Sequence, residues 1–250
     1  MPAPFKPLKW YRELAERKGR LEAGAFLVEG DKAIRQIIAS HPEIITEILT
    51  IDEPPPVFRD YPMRLVTKNQ FRYISSIRTP QGILAVVRMP ADIYSTRLPR
   101  DTGNRILLLE DIQDPGNTGT LIRTAAAFGF SGIILTENGV DPLSPKCVQA
   151  TAGSVFSVWL RRAKNYLELA QALKKESYTL VAADLAGTVG PEVLHGQKKL
   201  LLLLGNEAAG LSKALLNMAD YCLQIPLDRE KAESLNVASC GAILMYLSSR

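Results

Sequence analysis

The chain is 250 residues long, 46% hydrophobic and 22% charged, with 30 Lys and Arg against 26 Asp and Glu for a net charge of +4. That composition suits a packed core and excludes intrinsic disorder as the main state, and the length admits one large domain or two ordinary ones. Three widely spaced cysteines (Cys147, Cys222, Cys240), prolines and charges in MPAPFKPLKWYREL, and no apolar run longer than Leu200–Leu204 exclude a disulfide framework, a zinc-ligand spacing, a signal peptide and a membrane-spanning helix. We therefore expect a soluble protein of the reducing cytoplasm, without a metal. Its mild positive charge is compatible with a polyanionic partner but too small to demonstrate one.

Residues 1–20 carry six basic side chains, Lys6, Lys9, Arg12, Arg17, Lys18 and Arg20, and the spacing predicts a helix from about Pro7 to Lys18 with a solvated basic face. AFLVEGDKAIRQIIAS reads as a short apolar strand, a turn at Gly30-Asp31 and a helix with Ala33, Ile34, Ile37 and Ile38 on one side. EIITEILTI is a strand ended by Pro54-Pro55-Pro56. RLVTKNQFRYISSI and GILAVVRMP add a strand, a helix and a strand, so residues 1–90 form a small α/β unit. Periodicity fails between Pro90 and Asn104, and 91–103 is predicted to be a linker.

Over 104–250 strands and helices alternate: RILLLED, a helix over about Thr118–Phe128, GIILTE, a helical PLSPKCVQATAG, a strand VFSVWLR, the helix NYLELAQALKKES, YTLVAADL, KKLLLLLGNE, the helix SKALLNMA, YCLQIPL and a closing helix SLNVASCGAILMYLSS. Apolar strands interleaved with helices predict an α/β fold with a mostly parallel sheet covered on both faces. In such sheets ligands bind beyond the carboxyl ends of strands.

Three strand ends are unusual. EDIQDPGNTGTLIRTAAAFG places glycines and Asn117 at a helix start, with Arg123 six residues on; taken alone it is equally a tight turn with Asn117 as cap. LLLLGNEAAGLS sets Glu207 immediately after a buried strand, among glycines and alanines; the plain alternative is a carboxylate at the next helix's N-terminus. In LQIPLDREKAESLNVASCGAIL, Ser234 is a candidate helix cap with Asn236 in the first turn and small residues downstream. No hydrolase triad, H-E-x-x-H or dinucleotide glycine fingerprint is present.

Asn117 with Arg123, then GNEAAGLS, then IPL…ESLNVA, in that order, resemble the three motifs of SpoU-type (TrmH-like) RNA ribose 2′-O-methyltransferases of the SPOUT superfamily. The resemblance covers residues 104–250, and 1–90 is similar in size and pattern to the small RNA-binding domain many rRNA-modifying members carry. It implies a catalytic domain with a C-terminal deep trefoil knot, which periodicity alone does not reveal. It also implies a homodimer, S-adenosyl-L-methionine as cofactor, and 2′-O-methylation of structured RNA, ribosomal RNA before tRNA. By motif, Leu203, Gly205, Ile225, Leu227 and Leu235 would bind the cofactor, and Asn117, Arg123, Glu207, Ser234 and Asn236 would form the catalytic set. Arg123 is expected to stay charged and to bind the 3′ phosphate or developing alkoxide, with the hydroxyl proton leaving through water or a neighbouring group. Lys9, Arg12, Arg17, Arg72, Arg78 and Arg88 are candidate phosphate contacts. The chain departs from the pattern at Leu227–Glu233, which is charged, one residue longer and lacks the usual glycine. Two other readings stand beside this one: a non-catalytic RNA-binding protein of the same fold, and a nucleotide-dependent oxidoreductase.

Overall fold

The computed structural model describes residues 5–77 and 79–250. They divide into two compact units, the first reaching to Ala91 and taking in Asp141–Phe156, the second comprising Asp92–Val140 and Ser157–Arg250.

The first unit begins with helices α1 (Leu8–Glu13) and α2 (Arg17–Ala23), where a single helix was expected. The break has a local cause. Arg20 is 2% exposed, and its guanidinium donates to the carbonyls of Leu14 (3.0 Å) and Ala15 (2.7 Å), the two residues that follow α1, holding the chain in the turn between the helices. Gly19 lets α2 approach, since a Cβ there would lie 2.1 Å from the Glu13 carbonyl oxygen. Strand β1 (Ala25–Glu29), helix α3 (Asp31–Ser40), strands β2 (Ile45–Thr50) and β3 (Met63–Leu65), helix α4 (Lys68–Ile74) and strand β4 (Ile83–Arg88) complete the N-terminal part. The sheet order is β1-β4-β2-β3, with β4 antiparallel to both its neighbours. Tyr11, Leu14, Leu49, Phe71, Ile74 and Leu84 fill the core against one face.

The second unit is built on β5 (Arg105–Leu109), α5 (Pro115–Ala127) and β6 (Gly132–Thr136). The chain then supplies α6 (Pro145–Thr151) to the first unit, where it packs on β1. It returns as β7 (Trp159–Ala163), α7 (Tyr166–Lys175), β8 (Thr179–Ala183), β9 (Leu200–Leu204), α8 (Lys213–Met218), β10 (Tyr221–Leu223) and α9 (Val237–Ser248). All five pairings of the sheet β10-β8-β9-β5-β6-β7 are parallel. The leucine run of β9 lies in the middle, every residue buried, as a strand covered on both faces requires.

Two local expectations are corrected. Helix α5 starts at Pro115 rather than Thr118, because Pro at the first helical position and Asp114 as N-cap open it earlier. Val155 and Phe156 of the expected strand belong instead to a 3₁₀ turn over Ser154–Phe156, and β7 begins at Trp159. The stretch after Pro90 carries no helix or strand, yet Ile93 is wholly buried and Arg161 ties Asp92 (2.5 Å) and the Arg97 carbonyl (2.9 Å) to β7.

Candidate active site

Strands β8, β9 and β10 end together, and the loops that follow them enclose a cleft of about 550 Å³, inside the range of about 300–1,000 Å³ usual for small-molecule sites. Its floor is the turn after β9. Gly205 is needed there, since a Cβ would meet the carbonyl carbon of Gly210 at 2.3 Å. Asn206 exchanges backbone hydrogen bonds with Gly210 (3.1 and 2.9 Å), and its side-chain oxygen accepts from the N–H groups of Ala208 and Ala209 (2.9 Å each). Asn206 Nδ2 also donates to the Asp111 carbonyl (2.8 Å), fixing the turn to the end of β5.

Glu207 projects from this turn to the N-terminus of α5, not of α8, which Ser212 caps. Its carboxylate accepts from the Gln113 N–H (3.2 Å), the Asp114 N–H (3.4 Å) and Asn117 Nδ2 (3.0 Å). Asn117 does not cap α5: Asp114 does, accepting the Asn117 N–H at 2.8 Å, and this leaves the Asn117 amide for the site. Its oxygen accepts from Asn236 Nδ2 at 3.0 Å. Asn236, rather than Ser234, is the N-cap of α9, its side-chain oxygen accepting from Ala238 (2.9 Å) and Ser239 (3.3 Å). A continuous line of donors, Asn236 to Asn117 to Glu207, therefore joins segments separated by 119 and 90 positions.

Burial raises the pKa of Glu207, but the Asn117 amide and the backbone N–H groups outweigh it and hold the carboxyl below its usual value. With its oxygens engaged and its charge retained at neutral pH, this carboxylate orients its neighbours and is a poor proton acceptor. Cys240 lines the cleft as a neutral thiol, pushed by burial up to about 11, so it is no thiolate nucleophile.

Gly205, Ile225, Leu227, Leu235, Ser234 and Asn236 line the cleft, as does Glu207. Leu203 does not: it points into the core of the second unit, and Leu204 takes the lining position one residue on, because successive strand residues face opposite ways. Arg123 also stands apart. It is exposed on α5, and six helical residues turn it about 120° from the direction of Asn117. Lys9, Arg12 and Arg72 line a groove in the first unit, with the Arg12 guanidinium 4.6 Å from the Tyr73 ring centroid. Arg17, exposed at the start of α2, lies outside that groove, and Arg78 lies outside the described residues. Sequence reasoning missed Asp184, a cleft wall residue from the end of β8, and Asn206. Only the position of each at the end of a parallel strand signalled it. Among the described residues no helix is long and apolar enough to cross a membrane, and no group of three His, Cys, Asp or Glu is placed to hold a metal.

The model of the SpoU rRNA Methylase family matches residues 104–246, and that of an MRM3-like substrate binding domain matches residues 6–85. A Bacillus subtilis protein named 23S rRNA (guanosine(2553)-2′-O)-methyltransferase RlmP is 32% identical over 247 residues, 98% of this chain and 96% of that one. A Streptomyces viridochromogenes protein named 23S rRNA (uridine(2479)-2′-O)-methyltransferase is 30% identical over 97% of this chain and 88% of that one. Among solved structures, the SpoU methyltransferase AviRb from Streptomyces viridochromogenes, in complex with the cofactor AdoMet, superposes with a TM-score of 0.85 at 27% identity, covering 99% of this chain and 98% of that one.

Proposed function

The chain belongs to the SpoU rRNA methylase family, and from that premise we propose that it transfers the methyl group of S-adenosylmethionine to a ribose 2′-hydroxyl of 23S rRNA. The observation that carries this reading is the Asn236–Asn117–Glu207 line, which draws the ends of α9, α5 and β9 together beside one cleft. The residues present fit the cofactor. Leu204, Ile225, Leu227 and Leu235 give an apolar wall for a nucleoside, and Gly205 gives close backbone approach. Gly205, Ile225, Leu227 and Leu235 hold S-adenosylmethionine in this reading, and the bound cofactor supplies a methyl group already activated on a sulfonium.

The ribose hydroxyl is a weak nucleophile at neutral pH, so the residues of this chain must position it and let its proton go. Glu207, kept anionic, fixes the Asn117 amide, and Asn117 in turn fixes Asn236 at the head of α9. Ser234, on the cleft wall, contacts the incoming nucleotide in this reading. Arg123, a guanidinium cation on α5, binds a phosphate or the developing alkoxide in this reading. The hydroxyl proton leaves through water or a neighbouring group. Replacement Arg123→Lys keeps charge but loses the two-pronged donor, and most activity is lost with it; full activity in that variant refutes the clamp.

The active form in this reading is a homodimer. Helix α9, VASCGAILMYLS, is apolar almost all round, which calls for cover on more than one face. Ile243 and Tyr246 are 39% and 40% exposed on it, and Thr120, Arg123 and Ala127 form an exposed stripe on α5, which packs against it. A second copy covering these stripes buries the apolar residues and brings Arg123 to the subunit boundary. A threaded C-terminal segment belongs to the same proposal: β10 lies at the sheet edge beside β8, whereas α9 packs back on α5. The groove bearing Lys9, Arg12 and Arg72, with Arg17 beyond it, contacts RNA phosphates in the first unit. Three free cysteines suit a reducing cytoplasm.

The test is methyl transfer from labelled S-adenosylmethionine to ribosomal RNA from a strain lacking the protein. Label in one alkali-resistant dinucleotide of 23S rRNA is the expected result. Label on a base, or in tRNA alone, contradicts the proposal, and no transfer by a chain that binds RNA favours the non-catalytic reading.

A further inference from the structure

Two carboxylates line the cleft, and only one of them has an oxygen to spare. Glu207 is held by the donors described above. Asp184, at the end of β8, accepts the Ala186 N–H on Oδ1 at 2.7 Å, and among the described residues Oδ2 has neither a hydrogen-bond donor nor an ion-pair partner. Arg229, on the loop after β10, ends on the Leu185 carbonyl (2.6 Å) and Gln224 Oε1 (3.3 Å). The remaining wall is apolar, amide or, at Ser234, hydroxyl, with Cys240 neutral, so the cleft carries an excess of negative charge.

From this we propose that Asp184 is a specificity-determining residue that makes the cleft prefer the positively charged methyl donor to its neutral product. The inference rests on the cleft being the methyl-donor site. Methyl transfer breaks the S–CH₃ bond of a sulfonium and forms an O–CH₃ bond, while the hydroxyl proton leaves to solvent. The sulfur keeps the bonding pair and becomes an uncharged thioether. S-adenosylmethionine thus carries one more positive charge than S-adenosylhomocysteine, and a carboxylate in a cleft of reduced dielectric separates the two by charge alone. Apolar walls and backbone groups serve the shared nucleoside of both. The charge difference also promotes product release, since the attraction disappears with the chemistry.

Calorimetric titration of the full chain with S-adenosylmethionine, S-adenosylhomocysteine and sinefungin, which has an ammonium-bearing carbon in place of the sulfonium, tests this. Asp184→Asn is expected to weaken the two cationic ligands about tenfold and S-adenosylhomocysteine no more than about two- to threefold, and Asp184→Glu to restore the preference. A second measurement needs no variant: in the wild type the preference for the cationic ligands falls as salt rises. Equal weakening of all three ligands by Asp184→Asn, or a preference indifferent to both the substitution and salt, overturns the inference while leaving the cleft's assignment intact. Failure of the wild type to bind any of the three overturns both.

Discussion

Glu207 sits at the N-terminus of a helix to which it does not belong, and the hydrogen bonds it gathers there decide its chemistry. Because they depress its pKa, the unfolded carboxyl binds a proton at higher pH than the folded one. Its contribution to stability is therefore complete above the unfolded value of about 4.3 and disappears as pH falls through the lower folded value. The difference in thermal stability between wild type and Glu207→Gln should be full near neutral pH and close in acid, as melting curves across that range will show. Asn117→Ala removes one of the three donors and moves the Glu207 titration, followed by NMR, back up toward the ordinary carboxylate range. Gly205→Ala forces a methyl group onto the Gly210 backbone, which has no rotamer with which to yield. We expect a loss of about 1–3 kcal/mol in denaturant unfolding, together with weakened S-adenosylmethionine binding.

At the scale of elements, α9 owes both its start and its contact with Asn117 to one side chain. Asn236→Asp keeps an oxygen for the Ala238 and Ser239 N–H groups but loses the donor to Asn117. Its stability should stay close to wild type while methyl transfer falls steeply; Asn236→Ala should lose both, with about 0.5–2 kcal/mol of stability, in parallel melting and activity assays. Helix α2 is tied in by the Arg20–Asp141 pair at 2.8 Å, its members 2% and 10% exposed. Arg20→Ala takes the guanidinium from Asp141 and from the buried Leu14 and Ala15 carbonyls, and urea titration should show a loss of about 1–3 kcal/mol. These cases mark where local sequence carries information. The parallel sheet was legible because apolar runs such as Leu200–Leu204 are buried on both faces. The three site segments were legible only together, through their ordered resemblance to the family's motifs, since each alone reads equally as a turn or a helix cap. The break after Glu13 was not, since it depends on a guanidinium reaching backward along the chain. Ser234 and Asn236 are both good caps, and only the contact with Asn117 selects between them. The membership of Asp141–Phe156 in the first unit rests on packing of α6 against β1 and on pairs such as Arg20–Asp141, 121 positions apart, for which no local signal exists.

For the whole molecule, the account needs two copies and an RNA. Tyr246→Glu places a charge on the exposed stripe of α9 and should convert a dimer into a monomer in light scattering, with methyl transfer lost. Arg12→Ala with Arg72→Ala should weaken RNA binding and lower its salt dependence by about 0.7–0.9 in slope for each phosphate contact removed, without changing S-adenosylmethionine affinity. The most direct measurement addresses the cleft itself: amide hydrogen exchange with and without S-adenosylmethionine. Exchange should slow together at Gly205–Gly210, Ile225–Leu227 and Leu235–Cys240, three stretches distant in sequence that line one cavity. Unchanged exchange at all three, or protection of one without the others, would contradict a single cofactor cleft at the crest of this sheet.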